Sequence, residues 1–176
     1  LWKRTKMRGD TLMYRLPNQT PVEKRGVFNM VGKLLGLKGF IVSSFLKNEI
    51  YCFKESDLEP KIFYGSSDIV TIEKELYLMS AKDFLEELNN RKLSKAIFSR
   101  IKKTEHTIKP KIAFSDLCKL YPNAFVYLIS SPLFGTWIGA SPEPLLLVEY
   151  GEGSTVSLAG TKKRDDYSPW GEKEKE

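Results

Sequence analysis

A nine-residue stretch, GTWIGASPE at positions 135–143, lies between two apolar runs, AFVYLI before it and PLLLV after it. Apolar runs of this length are typical of strands, and the residues between them restrict how the chain passes from one to the next. Gly139 lacks a Cβ atom, so backbone or a ligand can approach it closely. Pro142 fixes its own φ and favours an extended residue before it. The stretch therefore predicts a strand that delivers Glu143 from a stiff turn.

Glu143 is a candidate proton donor. A carboxyl group held at the mouth of an apolar strand tends to have a raised pKa and can keep its proton near neutrality. The alternative is a solvated glutamate in an ordinary hairpin loop.

The rest of the chain predicts an α+β fold built on an antiparallel sheet, with few helices and mostly short connections. Predicted strands cover residues 13–16, 39–45, 49–53, 61–64, 93–102, 124–130, 135–140, 144–149 and 154–159. Residues 46–48 make a hairpin of the second and third strands, and residues 150–154 form the last turn. Ser80 is the predicted cap of a helix from about Ala81 to Arg91, and a short helix over 115–121 stops at Pro122.

Lys95 is a candidate general base. Alternation along the predicted strand places it on one face with Ile97, Ser99 and Ile101. An ammonium group on such a face is partly desolvated, which lowers the pKa of a lysine. A lysine and a glutamic acid on two strands of one sheet form an acid–base pair. The alternative is that Lys95 marks the strand end and reaches water through its long side chain.

Composition limits the classes of function. The 176 residues carry 41% hydrophobic and 28% charged residues, which predicts one globular domain or one large lobe. The net charge of +6 suits an anionic ligand, nucleic acid or an acidic partner region, but the lysines are scattered and no basic stripe alternates with aromatics. Two cysteines and one histidine give no disulfide framework and no zinc site. With no signal peptide, no apolar run of about 20 residues and no phosphate-binding glycine loop, we expect a reduced, cytoplasmic protein without membrane or nucleotide binding.

The two ends of the sequence predict a piece of a longer protein. The chain starts at Leu1 without a methionine, and it stops within EKEKE, a helix-forming run that has no cap.

Four segments resemble the chorismate-utilising enzymes, which include isochorismate, salicylate, anthranilate and aminodeoxychorismate synthases. They are KAIFSR at 95–100, GASPE at 139–143, LAGT at 158–161 and WGEKE at 170–174, in the order and rough spacing of that family. YRLP at 14–17 and residues 39–45 also resemble the N-terminal part of isochorismate synthases. The resemblance implies a chorismate-binding α/β-sandwich fold, with residues 1–176 as the N-terminal part of a single domain whose C-terminal half is absent.

Two positions discriminate among family members. Members that deliver water to the ring resemble this chain in having lysine at position 95, whereas those that deliver ammonia usually have glutamine. Aminodeoxychorismate synthases commonly place a nucleophilic lysine where this chain has Ala159. The resemblance therefore implies isochorismate synthase without a glutamine amidotransferase subunit, with salicylate synthase and then anthranilate synthase component I as alternatives. A non-catalytic module that binds anions or nucleic acid is the alternative outside the family.

The resemblance also implies a mechanism. Neutral Lys95 activates water for attack at C2 of chorismate, and protonated Glu143 assists departure of the C4 hydroxyl. A strand that ends at Ala159, Gly160 and Thr161 offers backbone N–H groups to a substrate carboxylate. Mg²⁺ is the expected cofactor, with ligands beyond Glu176, so no metal ligand is assigned here and these residues alone are expected to be inactive. Whether the product feeds menaquinone or siderophore synthesis stays open.

Overall fold

The computed structural model describes residues 8–46, 48–64, 70–91, 96–104, 108–144 and 146–156. The chain forms two compact units, Leu1–Phe63 with Pro110–Glu176, and Tyr64–Lys109. The described part is mostly antiparallel sheet with two helices, as the predicted α+β class requires.

A six-stranded sheet dominates the first unit, and every neighbouring pair in it is antiparallel. Its strands are β1 (Asp10–Arg15), β2 (Val22–Met30), β3 (Ile41–Ser43), β4 (Ile50–Glu55), β5 (Phe125–Ser131) and β6 (Gly135–Ser141). Their order across the sheet is β3-β4-β2-β1-β5-β6. The β3–β4 hairpin and the strands β5 and β6 confirm the sequence prediction, whereas β2 was not predicted.

Strand β5 is packed on both faces. Val126 and Leu128 pack against Phe114 of helix α2 (Pro110–Leu120), while Ile129 packs on the other face against Leu12. Alternate residues of a strand point to opposite faces, so a strand covered on both sides reads as an unbroken apolar run. This explains why the run at 124–129 was recognised from sequence alone.

Arg15 fastens the end of β1 to the end of α2. Its guanidinium is 5% exposed and donates hydrogen bonds to the carbonyl oxygens of Cys118 at 2.7 Å and Ala124 at 2.9 Å, and to that of Tyr121. The last carbonyls of a helix have no partner within the helix and carry partial negative charge. The buried cation therefore pairs with the Cys118 carbonyl in the last turn of α2 and with two carbonyls that follow the helix.

Residues 61–63 form an extended strap that replaces the predicted strand over 61–64. Thr11 Oγ1 donates to the carbonyl oxygen of Lys61 at 2.8 Å, and the N–H of Phe63 donates to Ser130 Oγ at 2.7 Å. Thr136 Oγ1 donates to the carbonyl oxygen of Phe63 at 2.6 Å and lies 2.6 Å from Ser130 Oγ. Hydroxyl groups from three strands thus pair with backbone N–H and C=O groups that would otherwise pair with a neighbouring strand.

The second unit is built on helix α1 (Lys74–Asn90). The ring of Phe98 stacks against Tyr77 and Phe84 of this helix, with centroids 5.2 and 5.0 Å apart. Residues 96–102 have no regular structure, so the strand predicted over 93–102 is wrong for this part of it. Packing of Phe98 on the helix, together with the 84% exposure of Ile97, replaces the alternation that the apolar pattern suggested.

Three further boundaries are corrected. Helix α1 begins after Glu73 and not at Ser80, because the residues from 74 onward (KELYLM) are mostly good helix formers. Helix α2 begins at Pro110 and not at residue 115, and the fixed φ of proline suits the first helical position. The final hairpin joins β7 (Leu147–Glu149) to β8 (Glu152–Ser154) through a tighter turn than predicted, with φ of 52° and 85° at its two central residues.

Candidate functional site

The hairpin β5–β6 presents the predicted GASPE segment. Residues 132–134 form its turn, and Gly135 follows with φ of +76°, a left-handed conformation that favours glycine. The register pairs Tyr127 with Gly139 and Phe125 with Ser141. In the described part of the sheet β6 is an edge strand, bonded to β5 alone.

Gly139 lies directly beneath the ring of Tyr127. A Cβ atom built at this position would lie 2.6 Å from both Cζ and Oη of Tyr127. Carbon atoms in van der Waals contact lie ~3.5–4.0 Å apart, so only glycine fits beneath this ring as it stands. A close approach to Gly139 is present, but the approaching group is the side chain of its cross-strand partner and not the backbone or ligand that was predicted.

Glu143 follows the end of β6 in a short turn. Ser141 Oγ donates to the carbonyl oxygen of Glu143 at 3.2 Å, across Pro142. Glu143 itself is exposed, so the burial expected of it is not provided by the described residues. The reason is that β6 ends at Ser141, before the apolar run that was expected to surround the carboxyl.

The remaining predicted site residues lie outside the described residues. These are Lys95, Ala159, Gly160 and Thr161. Their roles stay predictions.

An aromatic cavity of about 520 Å³ lies on the same face of the sheet as Tyr127. Its aromatic lining comes from Phe40, Phe45, Tyr51, Phe125, Tyr127, Phe134 and Trp137. Sequence reasoning missed this cavity because its residues come from segments almost one hundred positions apart. The usable signal was the alternation of aromatic and aliphatic residues along β5.

Asp10 is a buried carboxyl that sequence reasoning also missed. It is 5% exposed, and its Oδ2 accepts a hydrogen bond from the N–H of Phe28 at 2.7 Å. Desolvation by burial raises the pKa of Asp10 above its ordinary value of 3.8, while hydrogen bonds from Phe28 and Ser131 act in the opposite direction. This carboxyl ties β2 to the end of β5.

Within the described ranges, no group of three or more His, Cys, Asp or Glu side chains is placed to hold a metal ion. The described residues therefore do not fit a Mg²⁺ site by themselves, because Mg²⁺ needs several oxygen ligands in near-octahedral geometry. Neither helix of the described chain combines the length and the apolarity needed to cross a membrane.

Comparison with known proteins gives one positive finding. A family model described as "Chorismate binding enzyme" matches residues 46–173, nearly three-quarters of the chain. Searches of curated proteins and of solved structures returned no match. The matched range contains both Lys95 and Glu143.

Proposed function

Because this chain belongs to the family of chorismate-binding enzymes, we propose that it functions in an isochorismate synthase with the chorismate-binding fold of that family. The observation that carries the proposal is that the family match includes the KAIFSR and GASPE segments. These two segments hold the residues whose chemistry the reaction needs.

The choice of isochorismate synthase depends on positions 95 and 159. A water nucleophile has to lose a proton as it attacks, so a base is required, whereas ammonia needs none. Lys95 supplies an amine for this purpose. Ala159 has no nucleophile and cannot form a covalent intermediate with the ring.

In the proposed reaction Lys95 and Glu143 have opposite proton-transfer roles. Lys95 in its neutral form takes a proton from water, whose oxygen bonds to C2 of chorismate as the ring double bonds shift. Glu143 in its protonated form gives a proton to the C4 hydroxyl, which leaves as water. One water enters and one departs, so the product is an isomer of the substrate.

Because Glu143 is exposed, we propose that the bound substrate itself supplies the apolar surroundings of the carboxyl. A ring bound against Glu143 would remove the carboxyl from water, and desolvation favours its protonated form. The backbone N–H groups near Gly160 and Thr161 are the proposed partners of a substrate carboxylate.

Mg²⁺ remains the proposed cofactor. When bound, it would neutralise charge on a substrate carboxylate. The steps assigned to Lys95 and Glu143 do not depend on where it binds.

The test is product analysis. The full-length protein is incubated with chorismate and Mg²⁺, and the products are separated by chromatography. Isochorismate as the product supports the proposal. Salicylate with pyruvate would assign the protein to salicylate synthases, which share the lysine and glutamate pair, and unchanged chorismate would contradict both activities.

A further inference from the structure

Strand β6 depends on β5 for its position. It is an edge strand in the described sheet, so its backbone is held from one side only. The side chain that packs most closely across this pair is Tyr127, whose ring occupies the space above Gly139. A Cβ atom at position 139 would force either this ring or the end of β6 to move.

The end of β6 is in turn linked to Glu143. Only Ala140 separates Gly139 from Ser141, and the Ser141 hydroxyl donates to the carbonyl oxygen of Glu143 at 3.2 Å. Pro142, between them, has a fixed φ. The backbone of Glu143 therefore stands at a set offset from the contact between Tyr127 and Gly139.

We propose that Tyr127 is a positioning residue for Glu143, acting through the bare backbone of Gly139. This role rests on the proposed function of Glu143 as the proton donor. The physical reason is that proton transfer depends steeply on the distance between donor and acceptor. A displacement of about 1 Å far from the reacting atoms can lower turnover by ~10²-fold.

The decisive experiment is a double-mutant cycle in the full-length protein. Gly139→Ala adds a Cβ atom that meets the Tyr127 ring, so we expect kcat to fall by about 10- to 100-fold with KM nearly unchanged. Tyr127→Val removes the ring, and in this background Gly139→Ala should change kcat by less than about twofold, because non-additivity marks residues in contact. Tyr127→Phe keeps the ring, so this single variant should have a kcat close to that of the wild type.

Two controls separate positioning from general stability. Gly153 is also a strand glycine, but a Cβ there would lie 3.6 Å from its nearest neighbour, an ordinary contact, so Gly153→Ala should leave kcat unchanged. The pH profile of kcat supplies the second control. Glu143→Gln should abolish the limb that reports the proton donor, whereas Tyr127→Val should keep that limb at a lower plateau.

The outcomes are distinguishable. Wild-type kcat in Gly139→Ala, together with an inactive Glu143→Gln, would overturn the positioning role and leave the proposed function intact. Wild-type kcat in Glu143→Gln would overturn both. If Gly139→Ala fails to fold, the comparison of Tyr127→Val with Tyr127→Phe decides, and equal turnover in these two variants would overturn the positioning role.

Discussion

Replacement of Arg15 by alanine should destabilise the protein strongly, although Arg15 makes no ion pair among the described residues. Its guanidinium donates to three carbonyl oxygens around the C-terminal end of α2, and it is 5% exposed. Hydrogen bonds made by charged groups contribute about 1.5–3 kcal/mol each, but water can reach part of the space that alanine leaves. We therefore expect a loss of about 3–5 kcal/mol in the free energy of unfolding.

Arg15→Lys tests the geometry of the same contact. An ammonium group keeps the charge but cannot span three separated carbonyls as the planar guanidinium does. We expect about half the loss of Arg15→Ala. The matched control is Arg25→Ala, because Arg25 pairs with Glu59 at 2.8 Å with both side chains largely exposed, and such pairs contribute about 0–1 kcal/mol.

Urea denaturation followed by circular dichroism measures these differences. For a protein of this size, 1 kcal/mol corresponds to a shift of about 2–4 °C in Tm, so Arg15→Ala should lower Tm by about 6–20 °C. A loss below about 1 kcal/mol, equal to that of Arg25→Ala, would refute the assignment of Arg15 as the group that completes α2.

Three other predictions follow from the same structure. Gly26→Ala should cost about 3 kcal/mol in urea denaturation, since a Cβ there would lie 2.1 Å from the backbone oxygen of Lys54, and a loss below about 1 kcal/mol would contradict this contact. Asp10 has a raised folded-state pKa, so the folded protein binds more protons than the unfolded chain from about pH 3.8 up to that pKa. Unfolding measured at a series of pH values should show stability falling as the pH rises through this window, relative to Asp10→Asn. Parallel curves for the two proteins would exclude the effect. In the full-length protein, Lys95→Ala and Glu143→Gln should each lower turnover by ~10²–10⁴-fold, and near wild-type turnover in either variant would remove that residue from the mechanism.

The elements that the sequence predicted well are those whose packing is local. Strands β5 and β6 were predicted because their apolar runs, their glycines and their pairing all lie within about twenty consecutive residues. Strand β2 was missed because it carries charged residues whose partners are distant in sequence. Glu23 pairs with Lys111 at 2.7 Å, and Lys24 pairs with Glu55 at 2.9 Å.

At the candidate site, the sequence predicted that backbone or a ligand approaches Gly139, whereas the approaching group is the Tyr127 side chain. Tyr127 became visible only once the register of the hairpin was known. The exposure of Glu143 was not predictable either, because solvent access depends on where β6 ends and on what surrounds that end. A local motif can identify a reactive group, but its environment comes from the rest of the fold.

The strap over residues 61–63 is held through its backbone and not through the side chain of Lys61. Its backbone is bound by Thr11, Ser130 and Thr136, so these contacts make no demand on the side chain of Lys61. The path of this connection is therefore determined by side chains of the sheet and not by its own side chains. Substitution of Lys61 should therefore be tolerated, whereas loss of a hydroxyl would leave a backbone group of the strap without its partner.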